Sequence, residues 1–292
     1  MTARPGPQRT VVPPETAGTS AGADAARTRR SAWAALVLLV GSLSLGVVLA
    51  LVGGPWQVLA VLHLGALAIW FLVWRRGWRD LLRSAGPRSP RLLFAVGAGL
   101  CALSAVARHP IDNPGVVLAP VTPSGVLSAL AMALGVGALM NAVPEELSLR
   151  RCLLEPLRAQ FGDGFALWTT ALAFVVMHLP TWISSGATAS TYAAEVPAKL
   201  LFGLVAAWSV LRLDSLAFAL GMHVGGNVAG VLLDSLSRED TLTGWSQLTG
   251  PFVIALLAET AVTAATVWYL GRPRPRTDAA PGLRWNHEHE HR

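Results

Sequence analysis

Three short polar patterns interrupt an otherwise apolar sequence. The first is Pro-Glu-Glu-Leu-Ser-Leu-Arg at 144–150, the second pairs Phe174 with His178, and the third pairs His223 with Asn227. Ionisable and strongly polar side chains within long apolar runs are costly, and they are by default candidates for function. These patterns are therefore the first candidates for chemistry.

Helical spacing gives each pattern a geometry. Side chains at i and i+4 share a helix face, so Glu146 can pair with Arg150 in the favourable acid-first order. Glu145 lies about 100° away round the helix and is free to face a cavity. By the same rule, His223 and Asn227 lie one turn apart and point the same way.

These residue types suit one reaction. Phe174 shares a helix face with His178 and can fix its ring, while Gly225 and Gly226 leave room for a neighbouring helix or a substrate. A carboxylate helped by a histidine can take a proton from water as a general base. An imidazole and a carboxamide can stabilise the oxyanion of a tetrahedral intermediate. The set therefore predicts hydrolysis of an amide bond, without a serine or cysteine nucleophile.

The same filter selects further polar residues within apolar runs, namely His63, Asn141, Glu195 and Glu259. We expect Glu195 to pair with Lys199, four residues later. His63 fits no motif and is interpreted as structural or pore-facing. Glu259 has no motif partner and is interpreted as a buried hydrogen-bonding group.

Composition places these residues in a membrane. Charged residues are 14% of the 292 and residues AVILMFWYC are 53%, whereas a soluble domain has roughly 25% charged residues. So few charges cannot cover the surface of a water-soluble globule. A soluble enzyme is excluded, and so is disorder of the bulk of the chain.

Eight apolar runs follow one another, at 33–52, 56–74, 92–107, 124–143, from about 165, 196–213, 215–233 and 251–270. About 20 apolar residues span the hydrocarbon core of a bilayer. Because the backbone must satisfy its own hydrogen bonds in lipid, we expect an all-α, polytopic transmembrane helical bundle of about eight spans. The fourth helix can continue to about Leu157, which would place Glu145 deeper in the bundle.

Basic residues predict the orientation of this bundle. If both termini are cytoplasmic, sixteen arginines flank the inner ends of the spans, against Arg108, Lys199 and Arg238 at the outer ends. This asymmetry favours a multi-pass protein of the cell membrane with both termini inside. Arginine in place of lysine and a high alanine content fit a GC-rich genome, hence a bacterial plasma membrane. The net charge of +6 is explained by this topology, so no nucleic-acid partner is expected.

The predicted domain organisation is a bundle at 31–271 between two disordered cytoplasmic tails, 1–30 and 272–292. The His-Glu alternation at 287–291 is interpreted as a solvated end, although it can bind metal loosely. Cys101 and Cys152 have no metal-site or disulfide spacing.

Taken together, the motifs resemble those of the CPBP family, which comprises CAAX prenyl endopeptidases and bacteriocin-processing enzymes and is also called the Abi family. Its signature motifs EExxxR, FxxxH and HxxxN all occur here in the family's order. The resemblance covers roughly 120–235, where we expect the protease core. Leu149 and Arg151 depart from the family, whose members commonly have an aromatic residue and a glycine at these positions.

The resemblance implies a role for each motif residue. Glu145 would activate water with the help of His178, and His223 with Asn227 would stabilise the oxyanion. The supporting residues are Glu146, Arg150 and Phe174. The predicted function is an intramembrane glutamic endopeptidase, without cofactor or metal, whose substrates are membrane-associated peptides or proteins in the lipid bilayer.

Two alternatives remain open at this point. A zinc-dependent membrane protease would use ligands from the same helices, namely Glu145, Glu146, His178 and His223. No HExxH motif is present, and ligands scattered over three helices are a poor spacing signal. A non-enzymatic membrane immunity or scaffold protein would keep the bundle without turnover.

Overall fold

A computed structural model describes residues 88–112, 122–237 and 249–272, together with the single positions 48, 51, 65 and 68. Apart from those positions, the first two predicted spans lie outside the described residues. His63, the tail 1–30 and all but the first residue of the tail 272–292 also lie outside them.

The regular elements of the described residues are helices: α1 Pro90–Asp112, α2 Pro123–Phe161, α3 Asp163–Val176, α4 Leu179–Ser184, α5 Ala189–Leu213, α6 Ala217–Leu236 and α7 Gly250–Leu270. With α3 and α4 taken together, six of these segments are long and apolar enough to cross a membrane. Each of the last six predicted spans coincides with one of them. The predicted helical membrane bundle is confirmed.

The apolar run 124–143 covers only the first part of this helix, because α2 continues to Phe161, close to the predicted extension to about Leu157. The sequence places a boundary at the first charges, but Glu146 and Arg150 pair with each other and are both wholly buried. Paired charges do not need to reach the membrane surface, so they do not mark the end of a span. Glu145 accordingly lies in the middle of α2, as its predicted deeper position requires.

Winding changes within α2 on both sides of the glutamates. The stretches Ala133–Ala142 and Leu147–Leu154 are π-helical, and the α-helical turn Val143–Glu146 lies between them. Pro144 has no N–H to donate within that turn. Wider π-helical turns are rare and occur frequently at functional sites. The two glutamates therefore project from an irregular part of a long helix.

Helices α1 and α6 pack backbone against backbone. A Cβ atom added to Gly221 or Gly225 would overlap the carbonyl oxygen of Phe94 or Ala98, respectively. Small residues of this kind allow membrane helices to approach closely. The helix that carries His223 and Asn227 is thus held directly against α1.

Candidate active site

The ion pair between Glu146 and Arg150 joins three helices. Nε of Arg150 lies 3.4 Å from Oε2 of Glu146, and Nη2 of Arg150 donates to the carbonyl oxygen of Gly203 in α5 at 3.4 Å. The guanidinium also lies over the ring of Phe174 in α3, 5.8 Å from its centroid. The pairing that the spacing predicts is present, and it connects α2 to α3 and α5.

His223 lies between the two glutamates. Its Nδ1 lies 3.0 Å from Oε1 of Glu146, within hydrogen-bond distance, and its Nε2 lies 3.6 Å from Oε2 of Glu145. Oε2 of Glu145 is buried and has no hydrogen-bond partner among the described residues. This carboxylate oxygen therefore has unused capacity to accept a hydrogen bond.

Phe174 separates the two histidines. Its ring meets His178 edge-on at 4.8 Å and His223 edge-on at 5.6 Å, both measured between ring centroids. Phe202 stacks on Phe174 at 5.3 Å and also contacts His223 at 5.1 Å. The predicted packing of Phe174 on His178 is present, and the aromatic cluster restricts both imidazole rings.

His178 occupies the break between α3 and α4. Its Nδ1 lies 2.7 Å from the carbonyl oxygen of Phe174, to which it can donate in the tautomer that leaves Nε2 as an acceptor. The ring is half-buried and lies 5.8 Å from the ring of Trp182. The imidazole in contact with Glu145 is that of His223, whereas His178 lies across Phe174.

Asn227 reaches from α6 to α2. Its Nδ2 donates to the carbonyl oxygen of Gly137 at 3.2 Å. A carboxamide has two N–H donors, so this bond orients the group and leaves a second hydrogen for a ligand. Asn141, a further candidate from the sequence, is exposed on α2.

A cavity of about 170 Å³ lies beside this cluster. His223, Asn227, Phe174 and Phe202 line one part of it, while Met222 and Leu201 add apolar surface. Glu145 and His178 are not among the described residues that line the cavity. Each contacts a residue that does line it: Glu145 contacts His223, and His178 contacts Phe174. The arrangement is a cavity that has both polar groups and apolar surface in its lining.

Charged side chains form another part of the cavity lining. Lys199 lies 3.9 Å from Glu195, as predicted, and Arg108 lies 3.3 Å from Glu259. The second pair supplies the partner that the sequence did not identify for Glu259. The sequence places Arg108 only at the flank of a span. Arg108 lies seven residues after Cys101, which also lines the cavity, so the two side chains share a helix face. This spacing is the signal that could have identified Arg108 as a cavity residue.

The two departures from the family pattern have separate environments. Leu149 is wholly buried in a core cluster with Leu154, Leu157 and Phe174. Arg151 faces outward and pairs with Glu155. Leu149 therefore fills a space behind the candidate site, and Arg151 does not enter the site.

No group of three His, Cys, Asp or Glu side chains is arranged to hold a metal ion in the part of the chain that the structure describes. The reason is visible at His223, because Glu145 and Glu146 face opposite nitrogens of its ring. A metal ion on Nε2 of His223 would therefore lie on the side of Glu145 and away from Glu146. The histidines at 287–291 lie outside the described residues.

Comparison with known families matches residues 125–229 to the model described as Rce1-like, type II CAAX prenyl endopeptidase Rce1-like. This segment contains all three motifs, and the resemblance to the CPBP and CAAX protease family is confirmed. The matched family is a family of proteases. No curated protein and no solved structure matches the chain.

Proposed function

We propose that this chain, whose residues 125–229 match the Rce1-like protease family, is an intramembrane endopeptidase that uses water activated by Glu145. The observation that carries the proposal is the contact of His223 with both glutamates, beside a cavity that His223 and Asn227 line. Three motifs that are far apart in sequence thus contribute to one cluster. Its substrates are membrane-associated peptides or proteins, as expected for a multi-pass membrane protein.

The first step is proton transfer from water to Glu145. Oε2 of Glu145 has no hydrogen-bond partner among the described residues, so it can accept that proton. The water oxygen forms a bond to the carbonyl carbon, and the carbonyl oxygen becomes an oxyanion. As the C–N bond breaks, Glu145 returns the proton to the leaving amine. His178 assists through its Nε2, the nitrogen that is not used by the backbone of Phe174.

The oxyanion is stabilised by donors on α6. Asn227 offers the N–H that is not used by Gly137. His223 offers Nε2–H only when its ring is doubly protonated, because Glu146 accepts the hydrogen on Nδ1. Donors already oriented before the reaction stabilise the charge as it develops. Glu146 and Arg150 act as positioning residues that hold His223.

We further propose that both termini are cytoplasmic. In this topology the α2–α3 turn, with the contact of Arg158 and Asp163 at 2.8 Å, is inside. Arg108 near the end of α1 and Lys199 in the first half of α5 then lie in the outer half of the bundle. Reporter fusions after Arg158 should report cytoplasm and fusions near Ser237 the outside. An outside signal after Arg158 contradicts this topology.

The experiment that tests the activity compares membrane peptides from cells that produce the wild type or Glu145→Gln. Peptide ends that depend on Glu145 are expected in the wild type and absent from the variant. The control is Glu155→Gln, on the same helix, because the Glu155 side chain is 45% exposed and pairs with Arg151. Identical peptide profiles for wild type and Glu145→Gln would contradict the proposal and favour an immunity or scaffold role.

Chelation separates the proposal from the zinc alternative. The purified protein is expected to keep its activity after treatment with a chelator. Activity that is lost on chelation and restored by Zn²⁺, or defects in His178 and His223 variants that Zn²⁺ rescues, would instead favour the zinc-dependent protease.

A further inference from the structure

Lys199 is the exception among the basic residues. The sequence has 23 lysines and arginines, and Lys199 is the single lysine. It lies within the membrane-spanning helix α5, and its side chain lines the cavity together with His223 and Asn227. None of the three motifs includes it. An ionisable residue inside a span needs a functional or structural reason.

Its position relative to the cluster follows from the helices. Three residues after Lys199, Phe202 contacts His223, and four residues after it, Gly203 accepts a hydrogen bond from Arg150. Lys199 is thus about one helical turn, roughly 5.4 Å, from the level of the cluster. Consecutive spans α5 and α6 run in opposite directions, so Asn227 lies on the same side of the Phe202–His223 contact.

The ammonium group of Lys199 is only loosely held. Nζ lies 3.9 Å from Oε2 of Glu195, which is longer than a hydrogen bond, and the Lys199 side chain is 34% exposed. The other cavity cation is more constrained, because Arg108 donates to Glu259 at 3.3 Å and lies 5.7 Å from the ring centroid of Phe252. An ammonium group has three N–H donors, so Lys199 can offer charge and hydrogen bonds to a ligand.

Apolar surface lies in the same cavity as Lys199 and the proposed oxyanion donors. Phe174, Phe202 and Met222 line the same cavity and suit apolar side chains of a bound peptide. An extended peptide advances about 3.3 Å per residue. A group of the substrate that reaches Lys199 therefore lies within about three residues of the cleaved bond.

We propose that Lys199 is a specificity-determining residue that binds a carboxylate of the substrate, within about three residues of the cleaved bond. This inference rests on the proposed function. The carboxylate is that of an acidic side chain or of the chain terminus, since both present the same chemistry to the ammonium. Glu195 positions Lys199 when the cavity is empty.

Binding of synthetic peptides to the full-length protein in liposomes tests the proposal. Apolar fluorescent peptides carry either Glu or Gln near one end, and each ends in a free carboxylate or an amide. Because a hydrogen bond to a charged group contributes more than a neutral one, we expect the peptide with the recognised carboxylate to bind roughly 10- to 100-fold more tightly than its neutral partner. The Glu/Gln and acid/amide arms show which carboxylate is bound.

Variants assign the preference to one side chain. Lys199→Gln should abolish it, Lys199→Arg should retain part of it, and Arg108→Gln should leave it in place. The preference is the ratio of two affinities measured on one preparation, so it does not depend on the fraction of folded protein. Equal binding of all four peptides by the wild type would overturn the inference, and so would a preference that survives in Lys199→Gln.

Failure of the proposed function gives a different result. If Lys199-dependent binding is present but the wild type cleaves bound peptides no faster than Glu145→Gln does, the carboxylate site stands and the peptidase proposal does not. If peptides are cleaved in a Glu145-dependent manner without a preference for a carboxylate, the peptidase proposal stands and the carboxylate site does not.

Discussion

Two acid–base pairs with identical spacing behave differently in this bundle. Glu146–Arg150 and Glu195–Lys199 are both i, i+4 pairs within membrane spans. The first is wholly buried and has further partners in His223 and Gly203. The second faces a cavity, and its atoms are 3.9 Å apart. Spacing predicts that a pair forms, whereas the surrounding helices decide whether the pair holds the structure or meets a ligand.

The first pair should dominate stability. Arg150→Ala leaves the carboxylate of Glu146 buried without its cation, which should cost about 3–5 kcal/mol. We expect a large loss of folded protein on extraction and a lower unfolding temperature in detergent. The neighbouring Arg151→Ala is the control, because this exposed pair contributes about 0–1 kcal/mol. Equal stability of the two variants would show that the buried pair is not a structural element.

A double variant sharpens the comparison. Replacing both members of a buried pair with apolar side chains of similar size is often neutral for stability. Glu146→Leu combined with Arg150→Met should therefore recover folded yield relative to Arg150→Ala. Its turnover should remain low, because Nδ1 of His223 has lost its acceptor. Full turnover in the double variant would contradict the positioning role of Glu146.

On the cavity side, substitutions should change turnover rather than folding. Asn227→Ala removes the proposed oxyanion donor, and the expected loss is ~10²–10³-fold in kcat with little change in KM. Asn141→Ala is the matched control, since Asn141 is exposed on α2. A loss in KM with kcat unchanged would assign Asn227 to substrate binding instead.

The smallest expected effect concerns the packing of α6 on α1. Gly225→Ala places a methyl group against the backbone of Ala98, and such overpacking costs about 1–3 kcal/mol. Gly226→Ala meets only Cβ of Cys101, at 3.7 Å, and should be tolerated. Thermal unfolding of the two variants in detergent measures the difference. Equal unfolding temperatures would mean that α1 does not hold α6 in place.

The sequence predicts the features that depend on local pattern, namely membrane spans and side-chain pairs within one helix. Hydropathy located the described spans, and i, i+4 spacing identified the pairs of Glu146 with Arg150 and Glu195 with Lys199. The end of the span in α2 is harder to predict, because charges that pair inside the bundle resemble charges that mark a membrane surface.

Contacts between distant helices could not be predicted in the same way. Arg108 and Glu259 are 151 positions apart, and neither belongs to a motif. His223 and Glu146 are 77 positions apart, and no local rule indicates that one imidazole lies between both glutamates. Such contacts depend on how α1, α2, α6 and α7 pack, which spacing along a single helix does not determine.

The central claim is that Glu145 activates water. Its most direct test is the rate of peptide-bond cleavage by purified wild type, Glu145→Gln and Glu155→Gln, at equal amounts of folded protein and with a peptide whose cleavage the cellular comparison has identified. Glu145→Gln keeps the shape of the side chain but removes the base, so kcat should fall by ~10²–10⁴-fold while Glu155→Gln keeps the wild-type rate. A Glu145→Gln protein that cleaves the peptide at the wild-type rate would contradict the account.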